Sequence, residues 1–142
     1  MKKIAIIGAG GFGREVKMLI DQINVVSLKY VFIGYYDEKK EKGILINGFP
    51  VLGKVSDLHA VSEEISVALA LGNPVYKKSA VALIENQNII FETLIHPSVL
   101  IGNDEVSIGK GTVICAGNII TCNISIKDYV TLNLACTIGH DT

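Results

Sequence analysis

The sequence predicts an α/β domain with a parallel sheet over residues 1–94, followed by the start of a short-repeat β-solenoid over residues 95–142. Three observations predict this. Short β-branched runs alternate with helical patterns through the first part, as a parallel sheet with helices on its faces requires. A glycine cluster follows the first of those runs. From residue 95 onward, aliphatic residues recur every six positions.

Lys3–Ile7 reads as the first strand, ending at glycine, and Arg14–Gln22 as a helix with Val16, Leu19, Ile20 and Ile23 at helical spacing. Tyr30–Ile33 is a second strand that stops before Gly34, and Glu38–Lys42 is a charged loop. Asn47-Gly48 between two apolar runs is the signal of a tight hairpin. Ile65–Leu71 is a buried strand, Val75–Glu85 a helix and Ile89–Leu94 a last strand.

Beyond it, Ile108, Ile114, Ile120, Ile126, Leu132 and Ile138 fall at an unbroken step of six, and Ile101 and Ile95 extend the series backwards. A helix does not return to one face after six residues, and a single strand of this length is far beyond the usual range. Short strands with a turn every six residues satisfy the pattern, each aliphatic plugging the centre of a triangular coil. Two positions before the plugs stand Val106, Thr112, Asn118, Ile124, Val130 and Cys136, small or β-branched as coil corners need. About two and a half coils of eighteen residues fit before Thr142. An open coil end exposes strand edges, so the chain reads as the front of a longer, C-terminally truncated protein, or as one whose end another subunit covers.

Composition narrows the function classes. With 142 residues, 49% apolar and 19% charged, the chain can build a core and is not intrinsically disordered. Thirteen basic against fourteen acidic residues leave no stripe that could neutralise phosphates, which argues against nucleic acid as the partner. No apolar run reaches the length of a membrane span. Cys115, Cys122 and Cys136 form an odd set without Cys-x-x-Cys spacing, which fits reduced core thiols in the cytoplasm; no metal-ligand spacing occurs, so no metal is expected.

Gly8, Gly10, Gly11, Phe12 and Gly13 span the turn between the first strand and the first helix. Glycine there lets backbone N–H groups approach a phosphate at a helix N-terminus. Asp37 and Asn73 end the second and third strands on the same sheet edge, where each can bond a ribose or a base. The residues alone also admit a plain tight turn, a solvated aspartate and a turn-forming asparagine, though the binding reading is the favoured one. Fewer than a hundred residues precede the repeats, holding about one mononucleotide half plus a hairpin, which favours one nucleotide over NAD.

His96-Pro97 suits a structural hinge where the solenoid begins, and His59 lies in a polar loop. His140 sits two residues past the plug Ile138 and so points away from the coil core. With Asp141 beside it, it can act as a general base; a surface histidine in a turn is the other reading. No serine or cysteine has a triad partner.

Taken in order, Ile4–Glu15, Ile46–Gly53, Leu71-Gly72-Asn73, Ile95-His96-Pro97-Ser98 and Ile138-Gly139-His140-Asp141 give the chain a resemblance over residues 3–142. It resembles the bacterial sugar O- and N-acyltransferases of the sialic acid O-acetyltransferase type, the PglD-like group that acetylates UDP-4-amino sugars. The resemblance implies a Rossmann-like domain followed by a left-handed parallel β-helix that forms a homotrimer when full length. It implies an acetyl-CoA-dependent enzyme acting on a UDP-sugar or a sialic-acid-type molecule. Gly10, Gly11 and Phe12 would lie along the nucleotide-sugar, with Tyr36, Asp37 and Asn73 near the uridine. His140 would take the proton of the acceptor amine or hydroxyl and Asp141 would orient it, with direct transfer and no acyl-enzyme. Family members often carry histidine at the position of Phe12 and an acidic residue at that of Tyr36. Their helix continues for several coils that supply most of the acetyl-CoA site. A non-catalytic nucleotide-sugar-binding module and an NAD-dependent oxidoreductase are the rival readings.

Overall fold

The computed structural model describes residues 1–142. Its first part is a six-stranded sheet of β1 (Lys2–Ile7), β2 (Tyr30–Tyr36), β3 (Leu45–Ile46), β4 (Phe49–Gly53), β5 (Ile65–Leu69) and β6 (Ile89–Phe91). The spatial order is β3-β4-β2-β1-β5-β6, and only the β3–β4 pairing is antiparallel. β1 sits centrally, and its alternation sends Ile4 and Ile6 to one core and Ala5 and Ile7 to the other. A strand buried on both faces is what a parallel sheet covered on both sides demands. Helix α1 (Gly11–Val26) covers the first face with Val16, Leu19, Ile20 and Ile23. A 3-10 turn at Val55–Ala60 and helix α2 (Pro74–Leu83) cover the second through Val55, Leu58 and Ala80.

Several boundaries differ from the sequence expectation: α1 runs on to Val26 instead of Gln22, β5 stops at Leu69 instead of Leu71, and α2 runs from Pro74 to Leu83 instead of Val75 to Glu85. β2 continues past Gly34 because the pairing of Ile4 with Phe32 is followed by that of Ala5 with Gly34, leaving Ile33 as a bulge. Gly34, at φ +140, passes so close to the Pro50 carbonyl that no side chain fits. Glycine there keeps the strand going instead of ending it. Helix α1 begins at Gly11, inside the glycine cluster, because Gly13 packs onto the first strand's turn despite its poor helix propensity. The hairpin forms with Asn47 and Gly48 both at positive φ, but β4 then joins β2 in parallel, so the hairpin becomes part of the main sheet. The run Ile89–Leu94 divides: β6 closes the sheet, and Leu94 already belongs to the next architecture.

That second part is a three-sided parallel β-helix. Its strands are β7 (Leu94–Ile95), β8 (Leu100–Ile101), β9 (Val106–Ile108), β10 (Val113–Ile114), β11 (Ile119–Ile120), β12 (Ile124–Ile126), β13 (Thr131–Leu132) and β14 (Thr137–Ile138). They stack as β7-β10-β13, β8-β11-β14 and β9-β12, all parallel. Ile114 faces Leu132, Ile120 faces Ile138 and Ile108 faces Ile126, so each plug meets the plug of the next coil. Ile95 faces Ile114 and Ile101 faces Ile120 in the same way, although Ile101, in the first coil, stays partly exposed.

The corners obey the same period. Glu105, Gly111, Gly117, Asn123, Tyr129, Ala135 and Asp141 all have positive φ, one at every sixth residue. A sharp corner needs one left-handed residue, and only two of these seven are glycine. Inside the corners, Thr112 and Asn118 are fully buried and hydrogen-bonded. The Thr112 hydroxyl donates to the Lys127 carbonyl at 3.0 Å, and Asn118 Nδ2 donates to the carbonyls of Cys115 and Asn133 at 2.8 and 2.7 Å. These bonds satisfy carbonyls that the corner turns leave without strand partners.

The two parts share a core. Leu94, Val113 and Cys115 pack with α1, and Phe91 meets the Tyr129 ring edge-on at 5.3 Å. Lys77 of α2 donates to the Tyr129 carbonyl at 2.9 Å and to the Thr131 hydroxyl at 2.8 Å. The His96 ring joins Ser98 to Gln22 of α1, which makes it a hinge pin. All three cysteines are free; burial, with Glu15 and Cys136 nearby, pushes the Cys115 thiol up to about 11. No helix is long and apolar enough to cross a membrane.

Candidate functional site

A cavity of about 700 Å³ opens where β1 and β5 end side by side. Successive strands there leave β1 in opposite directions, and ligands of doubly wound sheets bind at such a switch point. Gly8 sits at φ +106, and a Cβ on it would come within 2.6 Å of the Ala70 carbonyl oxygen. Glycine is therefore obligatory where the chain leaves β1. At Gly10 nothing lies within 4 Å of a Cβ position, so the backbone is open to a ligand. Gly10 is also the N-cap of α1 and offers no side-chain cap, and the helix has no acidic residue in its first turn. Its leading N–H groups thus face the cavity mouth without an internal anion to satisfy them.

Asp37 braces this loop. One carboxylate oxygen accepts from the Ala9 amide at 2.9 Å, and the other accepts from Lys39 and Lys40 amides at 2.8 and 3.0 Å. Burial works to raise its pKa, but these three donors, with the Lys40 charge, outweigh it and hold the carboxyl below the usual range. Burial, reinforced by Asp57, raises the phenol of the neighbouring Tyr36. Glu38 is likewise committed, accepting from the Val55 amide at 2.8 Å.

Of the residues singled out from sequence, Gly8, Gly10, Gly11, Phe12, Tyr36 and Asp37 line this one cavity. Gly13 and Asn73 do not. Gly13 lies buried against the Gly8 carbonyl, where any side chain would collide, so it serves helix-to-strand packing. Asn73 caps α2, its side-chain oxygen accepting from the Val75 amide at 2.8 Å. Asn followed by Pro at the first helical position was the sequence signal of this cap. The cavity wall that sequence reasoning missed is α2 itself, which contributes Tyr76, Ser79, Ala80 and Leu83. Their spacing of three, one and three is a helical stripe, readable once the helix is known to border the site.

His140 and Asp141 stand apart from the cavity lining, after β14. His140 Nδ1 lies 2.9 Å from Asp141 Oδ2, with the two side chains 79% and 73% exposed. A carboxylate only accepts, so Nδ1 carries a proton in this pair and Nε2 is the ring nitrogen that makes no bond within the chain. Asp141 owes its placement to the corner pattern: it is the left-handed residue of its turn, at φ +62. No group of three His, Cys, Asp or Glu side chains is placed to hold a metal ion.

A Rossmann-like sheet with an uncapped helix terminus at its switch point, leading directly into a three-sided β-helix, defines the class. Residues 3–84 match the family model described as the PglD N-terminal domain, and the chain belongs to that family. It is 30% identical over 116 residues to a UDP-N-acetylbacillosamine N-acetyltransferase of Bacillus subtilis (strain 168), covering 82% of this chain and 52% of that protein. Among solved structures, it matches the acetyltransferase domain of PglB from Neisseria gonorrhoeae FA1090, in complex with acetyl coenzyme A, at a TM-score of 0.76 and 31% identity. That match covers 99% of this chain and 65% of the other. WeeI from Acinetobacter baumannii AYE matches at a TM-score of 0.82 and 28% identity, with the same coverages of 99% and 65%. The chain therefore spans about half the length of the curated relative and 65% of these solved chains.

Proposed function

We propose that this chain carries the nucleotide-sugar site and the catalytic base of an acetyl-CoA-dependent sugar acetyltransferase. Residues 1–94 bind the nucleotide-activated sugar, a UDP-sugar by likeness to the curated relative, and residues 95–142 open the β-helix along which acetyl-CoA, the cosubstrate, is held. The observation that carries this reading is the cavity at the switch point, lined by the glycine loop, Tyr36 and Asp37. The open backbone at Gly10 and Gly11 and the start of α1 receive the diphosphate. His140 Nε2 takes the proton from the acceptor amine or hydroxyl as that atom attacks the thioester carbonyl. The carbon–sulfur bond breaks, and coenzyme A leaves with a proton. Asp141 fixes the histidine tautomer and stabilises the imidazolium. The assembly is a homotrimer at full length, in the cytoplasm, where three free cysteines stay reduced.

The exposure of His140, outside the cavity lining, favours a second reading: a nucleotide-sugar-binding module without catalysis. A thermal-shift titration with UDP, NAD and coenzyme A in parallel tests the shared premise. UDP at a hundredfold excess over its dissociation constant is expected to add about 2.7 kcal/mol of stability. A rise with NAD and none with UDP would make the cavity a dinucleotide site and overturn both readings.

A further inference from the structure

We propose that Tyr76 is the stacking platform for the nucleobase and so a determinant of affinity in this cavity; the proposal rests on the nucleotide-binding reading above. Tyr76 lines the cavity and yet is 60% exposed, a large aromatic face left to solvent beside the glycine loop. Its hydroxyl makes no hydrogen bond within the chain, and the ring belongs to none of the hydrophobic cores. It has no internal task.

The mount beneath it is rigid. Asn73 caps the helix, Pro74 occupies its first turn, and the next residue, Lys77, is fixed to the β-helix by two hydrogen bonds. A ring on such a helix loses little freedom when a ligand settles on it, which is the condition for a preorganised platform. Leu83 and Ala80 continue the same apolar strip along the cavity. The cavity's two acidic groups, Asp37 and Glu38, already serve backbone amides. What the α2 wall offers a ligand is therefore a flat, apolar contact. A nucleobase has the matching shape, since every base presents a π-face. With the diphosphate at the start of α1, the base reaches the α2 wall of the same cavity.

The test uses the chain with UDP, GDP and inorganic pyrophosphate as probes, by calorimetry and by tyrosine emission corrected for absorbance. The chain has no tryptophan, so tyrosine emission is unobscured. Tyr76→Ala is expected to weaken whichever of UDP or GDP binds by about tenfold, a typical loss for one stacked base. Pyrophosphate affinity should stay unchanged. Tyr76→Phe should bind the nucleotide like the parent chain while losing most of the binding-induced quench, an effect that a purely structural role would not produce. Parent-like nucleotide affinity in Tyr76→Ala overturns the platform and leaves the nucleotide site standing. Failure of the parent chain to bind either nucleotide overturns the nucleotide reading and the platform with it.

Discussion

The carboxylate of Asp37 reaches from the end of β2 to the backbone amide of Ala9, 2.9 Å away, and closes the base of the glycine loop. The loop is thereby held by a side chain from a neighbouring strand as well as by its own turn. Because the same carboxylate also receives the Lys39 and Lys40 amides, it organises the loop on both sides of the cavity floor.

Asp37 accordingly makes stability depend on pH. Its folded pKa lies below the ordinary value of 3.8, so its contribution is complete above that value and is lost as pH falls through the lowered one. Asp37→Asn replaces one accepting oxygen with a donor and leaves an amide unpaired, which costs about 1–3 kcal/mol. Urea unfolding at pH 7 should show this gap, and it should narrow below pH about 4. A gap of equal size at pH 3 would show that the charge of Asp37 plays no part.

Asn73 offers a clean separation of capping from direct ligand contact. Asp caps as well as Asn, whereas Ala forfeits the cap at a cost of about 1 kcal/mol. Asn73→Asp should keep both the melting temperature and UDP affinity, while Asn73→Ala lowers the first. Loss of UDP binding in a fully stable Asn73→Asp chain would place this side chain on the nucleotide after all.

At the β-helix corners, Ala135 holds φ +55, where a Cβ is unwelcome. Ala135→Gly should raise stability by up to about 1 kcal/mol, against the usual loss for glycine substitutions. Thermal unfolding decides it; a lower melting temperature would mean that the corner is not strained.

In a chain continuing to the length of its relatives, His140→Ala should lower kcat by about 10²–10⁴-fold, the range of general-base catalysis, with the KM for the nucleotide-sugar unchanged. Asp141→Asn keeps a residue that tolerates the left-handed corner, so it should fold normally and lose activity alone. Full turnover without His140 would hand the chemistry to another group.

Much of this was legible in the sequence because the relevant physics is local and repetitive. The plugs show their six-residue step, and Asn47-Gly48 fixes its hairpin. The corners carry the same step, but only Gly111 and Gly117 advertise it; Glu105, Tyr129 and Ala135 adopt left-handed geometry because stacking imposes it. Gly34 looked like a stop because whether glycine ends or continues a strand depends on Pro50, sixteen residues away and on a strand whose pairing is not local. Asp37 was legible from its position at a strand end, whereas Phe12 and Tyr36 entered through the family resemblance. Tyr76 was not legible, since nothing in a short amphipathic helix says which of its faces borders a cavity.

The six-residue spacing of the left-handed corners turns the β-helix into an indexed ruler. Inserting or removing eighteen residues upstream of Gly139 would move the His140–Asp141 pair along the axis by about 4.8 Å, one strand spacing, and keep it on the same side of the prism. A change of six would carry it round to the next side at almost the same height. Reach and orientation are thus separately adjustable by length alone, with the geometry of the pair untouched.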